Sequence, residues 1–71
     1  MYAGHTARGD LVAYNIACSL ARLGENDQAL DWLTTAFREG FADAATVDSD
    51  DDLAPLRGDP RFAAVRARLG Q

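Results

Sequence analysis

The residues best equipped for chemistry lie in Asp48-Ser49-Asp50-Asp51-Asp52. Carboxylates recur there at alternate positions, as in calcium-binding loops, and Asp59 stands where a closing ligand would be. The pattern breaks at Leu53, where such a loop needs glycine, and again at Pro55. In that context the aspartates read as caps for short helices on a solvated loop. His5 is the only histidine and has no ligand partner at metal-binding spacing. Cys18 is the only cysteine, with no candidate base except His5, and it sits among Ile16, Ala17, Leu20 and Ala21. It therefore reads as a buried, inert thiol. Ser19 and Ser49 lack a base altogether. No nucleophile, base or metal set can be assembled, so the expectation is a protein that is not an enzyme and uses no cofactor or metal.

Charge narrows the partners. Eleven acidic residues face seven basic ones, for a net charge of −4, and every basic residue is arginine. Nucleic acid and anionic membrane are poor partners for such a chain. Arg57, Arg61, Arg66 and Arg68 make the C-terminal part basic against the acidic stretch 43–52. They read as intramolecular charge balance, with a phosphate or acidic-peptide site as the functional alternative. The chain contains no run of about 18 apolar residues and does not begin like a signal peptide. Cytoplasmic localisation is the expectation, and the arginine- and alanine-rich composition suits a bacterial source.

The elements that must position these residues are helices. With 71 residues the chain makes one small domain. Residues 1–9 read as a loose lead-in or the remnant of a preceding helix. Asp10 is placed to cap a first helix that runs to about Leu23 and stops at Gly24. Its polar positions, Asn15, Ser19 and Arg22, make one narrow stripe, so most of its circumference expects neighbours. Asn26 is placed to cap a second helix with Ala29, Leu30, Leu33, Ala36 and Phe37 on its apolar face, closed by Gly40. Trp32 stands off that face and is expected to pack under the following segment. Two short turns, at 43–48 and 51–56, precede a last helix that Asp59-Pro60 starts and Gly70 ends. Nothing alternates with period two, so the fold class is all-α, with 10–40 a helical hairpin and 41–71 its cap.

The hairpin resembles a tetratricopeptide repeat. Ala17 and Ala29 stand at the family's close-contact positions, Gly24 at its turn, Leu33 at its large position and Ala36 near the end of its second helix. Ala13 departs from the usual aromatic, and Phe41 stands near where a closing proline is common. Tyr14-Asn15-Ile16-Ala17-Cys18, Gly40-Phe41 and the tail DDDLAPLRGDPRF are similar to the C-terminal, end-of-array repeats of bacterial members. The resemblance implies a non-catalytic scaffold that binds another protein or peptide, alone, as a homodimer or beside neighbouring repeats. It also implies that the inner face of the first helix does the binding. Carried onto this chain, that face is Leu11, Tyr14, Asn15, Cys18 and Arg22, with Asn15 where some members grip a carboxylate. The competing reading from another class is a regulatory domain holding a small ligand in an apolar groove.

Overall fold

The computed structural model describes residues 9–69, which are helical without any strand. Five helices follow in order: α1 (Gly9–Arg22), α2 (Asn26–Arg38), α3 (Ala44–Ser49), α4 (Ala54–Arg57) and α5 (Pro60–Arg66), with a 3₁₀ turn at Asp51–Leu53 between α3 and α4. His5, most of the lead-in and Gly70 lie outside the described residues. None of the described helices is long and apolar enough to cross a membrane.

Both long helices end in the same way, and glycine is the reason. Gly24 at φ +82° and Gly40 at φ +112° occupy conformations that side chains disfavour. Each lets the next residue's amide turn back into the helix just left: Glu25 N–H donates to Leu20 C=O (2.9 Å) and Phe41 N–H to Ala36 C=O (3.0 Å). This double closure is the Schellman arrangement. It also explains one small departure from expectation. The chain leaves the first turn so quickly that Glu25, without a side-chain hydrogen bond, occupies the cap of α2, and Asn26 is already helical. Asn26 Oδ1 is left buried without a hydrogen-bond partner among the described residues. At the other end of the hairpin α1 includes Gly9, which places Asp10 in the first turn, where its charge favours the helix dipole.

The hairpin packs on small residues. Ala17, Ala21, Ala29 and Ala36 are completely buried, so α1 and α2 approach closely. Bulk enters from the cap: Leu53, Leu56 and Val47 are fully buried with Leu33 of α2, each worth about 1.5–3 kcal/mol on burial. Asp43 caps α3 by accepting from Thr46 N–H (3.1 Å), and Asp59 caps α5 by accepting from Arg61 N–H (2.9 Å). Phe62, Val65 and Leu69 are half-buried and pack on the core, but they do not enclose Trp32, which stays 39% exposed. A helix of seven residues is only about 10 Å long. Trp32 lies about a quarter turn around α2 from buried Leu33, which sets it off the buried face. The last helix ends at Arg66 and runs out in a turn through Leu69, short of Gly70.

Candidate functional site

The five residues assigned to the inner face of α1 divide into three groups. Tyr14 and Cys18 are buried, at 5% and 7% exposure; Leu11 is half-buried against the core; Asn15 and Arg22 are exposed. What covers Tyr14 and Cys18 is the chain's own segment after α2. The Phe41 ring stacks on Tyr14 with centroids 4.3 Å apart and planes within 6°. The Tyr14 hydroxyl donates to Asp50 Oδ2 at 2.8 Å, and Cys18 Sγ lies 3.9 Å from the same oxygen. Beyond them Arg22 and Asp52 approach to 3.8 Å at the surface. The face is occupied from within.

This junction brings together the groups that looked chemical in the sequence. The ligand atoms of Cys18, Asp50 and Asp52 fall within 4.8 Å of one another. Their chemistry here is that of a latch. Asp50 Oδ1 accepts from Asp52 N–H (3.0 Å), capping the 3₁₀ turn, while Oδ2 holds Tyr14. Burial, then the Asp50 charge, pushes the Cys18 thiol up to about 11. Burial, then the hydrogen bond to Asp50, raises the Tyr14 hydroxyl far above its ordinary value. A thiol so protonated is a poor nucleophile.

The acidic stretch is engaged in other ways as well. Asp48 takes both forks of Arg66 (2.7 and 2.9 Å), which lowers its carboxyl below the ordinary range. Arg57 donates to the carbonyls of Val47 (3.0 Å) and Asp50 (2.7 Å), tying α3 to α4. Arg61 bridges Asp59 (2.7 Å) and Asp27 (2.6 Å), and its hydrogen bond holds the Asp59 carboxyl down at about 2. Two of the four C-terminal arginines, Arg61 and Arg66, thus balance charge inside the molecule, while Arg57 serves backbone carbonyls.

The open surface lies elsewhere, along α1 and the turn that follows it. Val12 is 56% exposed and Leu23 76%, with Ile16 half-buried between them. Val12, Ile16, Ser19 and Leu23 are spaced four, three and four residues apart, the repeat of a helix–helix seam. A shallow cleft of about 340 Å³ formed by Ser19, Arg22 and Leu23 adjoins it. The spacing was present in the sequence, but a reading that takes Asn15, Ser19 and Arg22 as the solvent stripe places Val12 and Leu23 inside. The two stripes are neighbours on the same helix, and only the position of the cap decides between them. No protein-family model matches the chain, and no solved structure matches it significantly.

Proposed function

We propose that this chain is a tetratricopeptide-like hairpin acting as a non-catalytic docking module, with its partner surface on the outer stripe of α1. The observation that carries the proposal is the asymmetry of the first helix and its closing turn: one side is closed by residues 41–56, while among the described residues Val12 and Leu23 stay exposed on either side of half-buried Ile16 as an apolar seam. An end-of-array unit has this character, covered on one side by its own terminal segment and offering the other to a neighbour. The seam's spacing suits a helix as the partner element, whether from a preceding hairpin or from another protein.

The test places a photoreactive benzoylphenylalanine at Leu23 or, as control, at exposed Ala45 on the cap, in cells that produce the protein. Discrete adducts through position 23, absent through position 45 and suppressed by Val12→Glu, support the reading. Equal yields from both positions contradict it.

A further inference from the structure

Arg22, Arg57, Arg61 and Arg66 are occupied by the carboxylates and carbonyls described above. Arg38 and Arg68 are different. Among the described residues neither makes an ion pair or a side-chain hydrogen bond, although the chain carries eleven acidic residues against seven arginines. They converge from the end of α2 and the turn after α5 on a single cleft of about 310 Å³, lined by Thr34 and Phe37 as well. That volume is at the lower edge of small-ligand sites.

A basic residue at a helix C-terminus ordinarily serves the last carbonyls. Here those carbonyls are already taken: Thr35 C=O accepts from Glu39 N–H, Ala36 C=O from Phe41 N–H and Phe37 C=O from Gly40 N–H. Glu39, next to Arg38 in sequence, turns its carboxylate toward Gly9 at the start of α1, 3.3 Å from the place a Cβ there would occupy. The Thr34 hydroxyl donates to Leu30 C=O at 2.9 Å, so the arginines supply the cleft's free side-chain donors. Half-buried Phe37 provides an apolar wall beside them. Two guanidinium groups without a partner among the described residues, beside one aromatic ring, fit an oxyanion attached to a small apolar group.

We propose that Thr34, Phe37, Arg38 and Arg68 form a binding cleft for a carboxylate or phosphate group whose apolar portion rests against Phe37. The site is separate from the α1 seam, so either assignment can fail without the other. The test titrates the whole chain with phenyl phosphate and with benzoate, using benzyl alcohol as the neutral control, and follows arginine side-chain and Phe37 ring signals by NMR. Saturable shifts at Arg38, Arg68 and Phe37 that weaken with salt and are absent with benzyl alcohol are expected. Arg38→Gln and Arg68→Gln should each weaken binding about tenfold, whereas Arg22→Gln should not. The phenyl phosphate and benzoate arms distinguish the two oxyanion sources, and tighter binding of either supports the site. Affinity unchanged in both variants overturns it. Inorganic phosphate binding as tightly as phenyl phosphate overturns the role of Phe37.

Discussion

Tyr14→Phe removes one oxygen from the latch and leaves the ring stacked on Phe41, which makes it the cleanest probe of how the cap is held. The lost bond, 2.8 Å from a phenol to a carboxylate at a largely buried position, is of the class worth about 1.5–3 kcal/mol. A domain of 71 residues has roughly 4–11 kcal/mol in total, so the variant stays folded but opens more often. Cys18 reports the opening directly, because it is the only thiol in the chain and is 7% exposed. Where closing outpaces labelling, the reaction rate follows the open population. Each 1.4 kcal/mol is tenfold, so disulfide-exchange labelling of Tyr14→Phe should be about ten to a hundred times faster than wild type. Ser49→Ala, which removes a surface hydroxyl bonded to Ala45 C=O, serves as control and should not change the rate. A Tyr14→Phe rate within twofold of wild type would refute the latch.

Stability should fall at alkaline pH, and the sign follows from the thiol. The folded Cys18 keeps its proton up to about 11, while an unfolded thiol loses it near about 8.5. The contribution is therefore whole below the lower value and shrinks as pH rises between the two. Urea melts from pH 8 to 11 should show this, with a shallower decline in Cys18→Ser. Ala29→Leu, at a site with no exposure where α1 and α2 meet, should cost about 1–3 kcal/mol by overpacking, read as a lowered thermal midpoint. Gly40→Ala forces a side chain into φ +112° and should cost about 1–3 kcal/mol. Gly58→Ala, at φ −84° with nothing near its Cβ position, should be neutral or stabilising by up to about 1 kcal/mol in the same assay.

What was legible in the sequence was local. Gly24 and Gly40 marked both turns because only the left-handed conformation lets the Glu25 and Phe41 amides reach back to Leu20 and Ala36. Asp59-Pro60 marked α5 because a carboxylate cap and a fixed proline φ act within a few residues. The placement of the cap was not legible, since it depends on contacts such as Tyr14 to Asp50 that span 36 positions. Hydrophobicity alone ranks Val12 and Leu23 as interior, yet the close approach of α1 to α2 selects Ala17 and Ala21 for the interior and leaves the larger side chains outside. The same long-range dependence hid the partial exposure of Trp32. It also hid the meeting of Arg38 with Arg68, which no spacing in the chain announces.

The proposed docking surface leaves the hairpin with one closed side and one apolar side for a partner helix. Without that partner, copies of the chain should satisfy the open seam with each other, as exposed apolar stripes tend to do. Sedimentation equilibrium at tens of micromolar tests this most directly, with Leu23→Glu as the paired variant, since Leu23 is 76% exposed and its replacement leaves the core intact. Wild type should show a reversible monomer–dimer equilibrium, and Leu23→Glu a monomer of unchanged helicity. A wild-type chain that stays monomeric throughout, or a dimer indifferent to Leu23→Glu, would contradict it.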